Sequence, residues 1–147
     1  MVKYVAATVL VLADGSAAAV YRDALREAGL EVVEAGNSES AFDTAQRIQP
    51  HVIVAGFDSE MREDRLTLCR RLRDTSNTRR IPIVLAADEL RDGDTEIATN
   101  AGALVLRMVR RDVDKLVAAV KGVLAVPRPR PLRASIRPPR KPKVRGQ

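Results

Sequence analysis

The sequence predicts an α/β fold, a doubly wound five-stranded parallel sheet with five helices, and three observations carry that prediction. Short apolar, β-rich runs alternate with segments of helical period through the first 126 residues, the pattern of a parallel sheet wrapped by helices. The first run, Thr8–Leu12, is apolar throughout after its threonine, as a strand covered on both faces requires. After residue 126 the composition turns abruptly to proline and cations, which ends the domain.

Taken in order, Thr8–Leu12 is the first strand, and Ser16 is placed to cap a helix running to about Ala28. Val20, Ala24 and Leu25 make the inner stripe of that helix, and Gly29 ends it by taking the left-handed conformation cheaply. Glu31–Ala35 is the second strand. A helix from Ser38 to about Gln49 follows and stops at Pro50. Val52–Ala55 is the third strand, and after an acidic loop a helix spans about Asp64–Asp74 with Leu66, Cys69 and Leu72 inward. Ile81–Ala86 is the fourth strand, with Pro82 near its start. A short helix falls within Glu89–Asn100, Ala103–Arg107 is the fifth strand, and Asp112–Leu124 is the last helix.

Charge divides the chain. From Pro127 to Gln147 there are eight cations and no acid, so removing that +8 from the whole-chain +6 leaves −2 for residues 1–126. The basic character therefore belongs to the tail. Tryptophan is absent, so the core is aliphatic. A single cysteine, Cys69, excludes a disulfide framework and fits a reducing, cytoplasmic setting. Its place in a helical stripe marks it as a small core residue rather than a reactive thiol. The apolar stretch at Val5–Leu12 could pass for a secretory signal, but a helix start follows at once and favours a buried strand. No apolar run reaches the roughly 18 residues that a membrane-spanning helix needs.

In a sheet of order 2-1-3-4-5, ligands bind beyond the carboxyl ends of the strands, between the first and third. The residues arriving there are Ala13, Asp14, Gly15, Gly56 and Phe57. At this point the chain resembles the receiver domain of two-component response regulators, which shares the flavodoxin-like architecture. The resemblance runs from about Val9 to Leu124. It rests on the ordered set Val9-Leu10-Val11-Leu12-Ala13-Asp14, Ala28-Gly29-Leu30-Glu31-Val32-Val33-Glu34-Ala35, Pro50-His51-Val52-Ile53-Val54, Leu68-Cys69-Arg70-Arg71-Leu72-Arg73, Ile81-Pro82-Ile83-Val84 and Ala101-Gly102-Ala103.

The resemblance implies a reaction centre in which two acids and an aspartate hold Mg²⁺ through oxygen ligands. That aspartate is also the phosphoacceptor, a carboxylate nucleophile, while a Ser/Thr and a Lys bind the phosphoryl oxygens. Carried over by position, the acidic pair is Ala13-Asp14, the acceptor falls on Gly56, the hydroxyl on Ala87, the lysine on Val109, and a switch aromatic on Leu106. Only Asp14 survives, and one carboxylate would hold Mg²⁺ weakly. The chain thus looks like a degenerate pseudo-receiver that acts without phosphorylation. The rival keeps phosphorylation, with Asp58 as a substitute acceptor beside Asp14 and Arg107 or Arg110 in place of the lysine. A solvated acidic loop and surface arginines explain those residues more simply.

Other chemistries fare worse. His51 has no cysteine or second histidine to make a zinc site. No dinucleotide or nucleotide-phosphate loop is present, nor a nucleophile–base pair, so the expectation is no enzyme and no resident cofactor. The tail carries six of the chain's eight prolines among Arg128, Arg130, Arg133, Arg137, Arg140, Lys141, Lys143 and Arg145. Such a composition buries too little to offset its ordering entropy and predicts a disordered arm reaching ~65 Å at about 3.1 Å per residue. Its partners would be polyanions, nucleic acid first. It lacks the aromatic residues that would stack on bases, and its Arg-Pro repeat only faintly resembles an AT-hook. A solubilising segment or a linker is the plainer reading of the same tail. With no output domain in these residues, output is expected through a signalling partner or a homodimer at the face of the fourth helix, fifth strand and last helix.

Overall fold

A computed structural model describes residues 7–57, 59–108 and 112–125. Five strands, β1 (Thr8–Leu12), β2 (Glu31–Ala35), β3 (Val52–Gly56), β4 (Ile83–Ala87) and β5 (Ala103–Arg107), alternate with five helices. These are α1 (Gly15–Glu27), α2 (Ser38–Ile48), α3 (Arg62–Asp74), α4 (Asp94–Asn100) and α5 (Val113–Ala125). All strand pairs are parallel and the order is β2-β1-β3-β4-β5, as the sequence predicts.

The two-residue period of the strands separates two cores. Leu10, Leu12, Ile53, Ala55, Ile83 and Leu85 face α2, α3 and α4, meeting Phe42, Leu66, Cys69 and Leu72. Val9, Val11, Val52, Val54 and Val84 face α1 and α5, meeting Tyr21, Leu25, Leu116 and Val120. Burying one such aliphatic side chain contributes about 1.5–3 kcal/mol, so the sheet is anchored from both sides. Cys69 is 1% exposed within the first core, and that burial pushes its thiol up to about 11. His51 is exposed in the α2–β3 turn, where its Nδ1 accepts the Thr8 N–H at 3.0 Å. It serves to join the starts of β1 and β3.

Several local expectations are corrected. Asp14, not Ser16, occupies the N-cap position of α1, because the chain leaves β1 directly into the helix at Gly15. The buried residues of that helix are Tyr21 and Leu25, with Val20 and Ala24 only half-buried. Asn37 caps α2 by accepting the Ser40 N–H at 2.8 Å, and Gln49 turns the chain out with φ 54° before Pro50. Helix α3 starts two residues earlier than predicted, behind a single 3-10 turn at Ser59–Met61. Strand β4 is displaced toward Ala87, since Pro82 stands before the first ladder position. The last helix buries Leu116 and Val120 fully, while Val113 and Val117 lie half-buried in a shallow groove against Ala24 and Ala28 of α1.

Candidate functional site: the carboxyl edge of the sheet

The carboxyl ends of β1, β3 and β4 open into a cavity of about 150 Å³. It gathers the predicted positions Ala13, Asp14, Gly56 and Ala87, so residues spread over more than half the chain do meet at one point. Val109 and the substitute acceptor Asp58 lie outside the described residues, as do Arg110 and all eight tail cations. Leu106 is half-buried in β5 and packs into the α1–α5 core, and Arg107 is exposed on that strand without lining the cavity.

Asp14 is exposed at the mouth, and its carboxylate makes no capping hydrogen bond. Asp88 joins it on the rim, while Tyr21 and Phe57 close the walls. Gly56 is the last residue of β3 and pairs in register with Ala86. A Cβ placed there would meet Ala13 Cβ at 3.8 Å and the Leu12 carbonyl oxygen at 3.9 Å, ordinary contacts. The backbone does not require glycine at this position. Ala87 is 2% exposed, and its carbonyl accepts the Met108 N–H at 2.6 Å.

The sequence reading missed the strongest charge in the site. Arg65, one turn into α3, is 2% exposed and lines the cavity. Its Nε donates to the Gly56 carbonyl at 3.0 Å. One terminal nitrogen donates to Asp64 at 2.6 Å and to Ser38 Oγ at 3.3 Å, and Ser38 in turn donates to Asp64. One guanidinium thereby ties the end of β3 to the first turns of α2 and α3. A signal for this existed, because Arg65, Leu68, Cys69 and Leu72 follow the spacing of a single inner helix face.

A second charged pair lies beside it. Arg62 pairs with Asp94, which is 2% exposed and also accepts the Arg91 N–H at 2.7 Å. Arg62 crosses the Phe57 ring at 5.7 Å, so the start of α3 and the start of α4 are joined over that ring.

Mg²⁺, which the fold would imply, is tested by these residues and does not fit. Asp14 faces Ala13 and Gly56 where partner carboxylates would be needed, and the wall already holds a buried cation in Arg65. Among the described residues no three His, Cys, Asp or Glu side chains group as a metal site.

Comparison with solved structures places the architecture. A candidate response regulator of Chloroflexus aurantiacus is 27% identical with a TM-score of 0.73, covering 82% of this chain and 99% of its own. The signal receiver domain of a signal transduction histidine kinase from Syntrophus aciditrophicus is 26% identical with a TM-score of 0.69, covering 82% and 91%. A chemotaxis response regulator of Vibrio cholerae is 21% identical with a TM-score of 0.71, covering 81% and 99%. No family model matches the chain, and no curated protein does. The structural neighbours are thus receiver domains of response regulators, and the fold is theirs. No helix of the described residues is long and apolar enough to cross a membrane.

Proposed function

We propose that this chain is a receiver-type signalling module that works by protein contacts without aspartyl phosphorylation, and that it is not an enzyme. The observation that carries the reading is the pair Gly56 and Arg65. The backbone at Gly56 would accept a Cβ at ordinary contact distance, yet no side chain is there, and a buried guanidinium is fixed to the carbonyl of that same residue. Among the described residues a phosphoryl group would find no carboxylate at Gly56 and no hydroxyl at Ala87, with acids only at Asp14 and at Asp88 on the rim. Output then passes through surfaces. Ile97 on α4 and Leu104 on the edge strand β5 are the exposed large apolar side chains of the described residues, 39% and 47% exposed, and they support a partner or self-association contact on that face. The basic tail adds contact with a polyanion, a reading supported by its composition.

The test is a titration of the full chain with beryllofluoride and Mg²⁺, read by amide NMR, with acetyl phosphate and intact mass in parallel. The expected result is no shift near Asp14 or Gly56 and no adduct. Saturable shifts there, or a phosphoryl adduct on Asp14 or Asp58, would make the protein a phosphorylation switch.

A further inference from the structure

We propose that Arg70, Arg73, Arg79 and Arg80, at the amino-terminal edge of the sheet, form a docking surface for the phosphate backbone of double-stranded nucleic acid. The inference deepens the polyanion reading of the tail but rests on different residues, all in the folded body.

The four arginines are exposed, and none forms an ion pair among the described residues. Arg22, Arg62, Arg65 and Arg71 each hold an acid, whereas Arg26 and Arg47, like the four at this edge, form no ion pair among the described residues but stand singly on α1 and α2. Cations in the last turn of a helix offset its dipole, which accounts for Arg73 at the end of α3. It does not account for Arg79 and Arg80, which follow the helix.

These two are presented by an ordered turn. Thr78 is 1% exposed, and its hydroxyl donates to the Leu72 carbonyl at 2.7 Å, sealing the end of α3. The Arg79 N–H donates to the Thr75 carbonyl at 3.0 Å and the Ile81 N–H to the Thr78 carbonyl at 3.0 Å. The Asn77 amide donates to the Gln46 carbonyl of α2 at 3.5 Å. Arg73 is fixed as well. It donates to the Asn100 carbonyl at 2.9 Å and lies across Gly102, whose φ is +90° and whose added Cβ would stand 2.3 Å from Arg73 Cδ. The backbone that carries Arg79 and Arg80 is thus held in place, so little loop ordering opposes binding.

Charge is also segregated by edge. The loops after β1, β3 and β4, at the other end of the strands, expose Asp14, Glu60, Asp88, Glu89 and Asp92. At the arginine edge Asp74 is the single acid between residues 70 and 82. The alternation of strands and helices also brings α5 to its end at Ala125 on this same edge of the sheet. A polyanion would be held here and repelled from the opposite edge, which orients the domain with its vestigial site outward. Guanidinium forks match phosphate oxygens. The absence of aromatic residues between 58 and 147 removes base stacking, and with it the preference for single strands. The exposed apolar side chains needed to enter a membrane are on α4 and β5 instead.

The experiment measures anisotropy of a labelled mixed-sequence DNA duplex with the full chain over about 50–200 mM salt. Three variants accompany it: Arg70→Ser/Arg79→Ser/Arg80→Ser, a chain with all eight tail cations changed to serine, and the two sets combined. The expected outcome is salt-dependent binding whose log–log slope falls by roughly 2–3 in the triple variant, at about 0.9 per phosphate contact, with roughly hundredfold or more weaker affinity near 0.1 M salt. The tail variant should keep residual binding that the combined variant loses. Unchanged slope and affinity in the triple variant would overturn the surface even if the tail binds. So would failure of the native chain to bind, or equal binding of polyglutamate at matched charge. Unchanged thermal melting of the triple variant shows that its fold is intact. A positive beryllofluoride titration would sink the phosphorylation-independent reading and leave this result standing.

Discussion

The two edges of the sheet are built from the same strands and treat charge in opposite ways. At the carboxyl edge a cation is buried, hydrogen-bonded to three acceptors and used to hold β3, α2 and α3 together, while acids remain exposed around it. At the amino edge Arg70, Arg79 and Arg80 are exposed and hold no acid among the described residues, while Thr78, Asn77 and Arg73 do the holding. Arginine is thus structural in one place and available in the other. What separates the two is whether the guanidinium can reach neighbouring acceptors from its own helix, and not its residue type. The scaffold leaves both edges open to function, in line with the general rule that folds host activities without dictating them.

The largest difference between the edges should appear in stability. Arg65→Met removes a buried ion pair and three hydrogen-bonded anchors and should cost about 3 kcal/mol, the lower end for buried pairs because Asp64 is half-exposed and can rehydrate. Arg80→Ser at the other edge should change stability by less than about 0.5 kcal/mol. Urea melts of both variants make the check, and equal midpoints would erase the distinction drawn here.

Between the edges, the Cys69 thiol makes the core pH-sensitive in one direction. Its folded value of about 11 lies above the ordinary 9.0, so the unfolded chain loses the proton first. The contribution is whole below pH 9 and fades as pH rises, with about 2 kcal/mol gone near pH 11. Comparing native and Cys69→Ala stability over that range isolates it, and a constant difference between the two would argue against a sealed thiol. Thiol reagents at neutral pH should label the native protein only as fast as it unfolds.

The smallest expected effect sharpens the carboxyl edge itself. Gly56→Asp meets only ordinary contacts and should shift stability by less than about 1 kcal/mol. It should not by itself confer Mg²⁺-dependent beryllofluoride binding, since Ala13 and Ala87 still lack the oxygen ligands. Adding Ala13→Asp and Ala87→Thr should bring measurable binding, reduced by the charge of Arg65. Strong binding by the single variant would mean that one missing side chain had been the whole defect.

Particular residues show how much of this was legible beforehand. Strand positions such as Val9–Leu12 and Val52–Ala55 could be read directly, because near-continuous apolar runs have few other places to go in a folded chain. The absence of carboxylates at Ala13 and Gly56 needed only their place after a strand. Helix starts were read less well, because Asp14 and Ser16 are both acceptable caps and the choice depends on how tightly the chain turns out of β1. Arg65 was assigned to no role because a charged residue on an inner stripe reads as an exception. Its acceptors, the Gly56 carbonyl and Ser38 Oγ, lie 9 and 27 residues away in sequence.

By itself, then, the sequence determined the order and kind of the elements, the aliphatic core and the small uncharged residues Ala13 and Gly56 after β1 and at the end of β3, since these follow from local periodicity and residue identity. Tertiary structure alone decided that Arg65 enters the cavity at the carboxyl edge, and that Thr78 seals α3 and presents Arg79 and Arg80. Those outcomes depend on hydrogen bonds and charges brought together by chain closure, where burial converts an ordinary polar group into one that must find its partner.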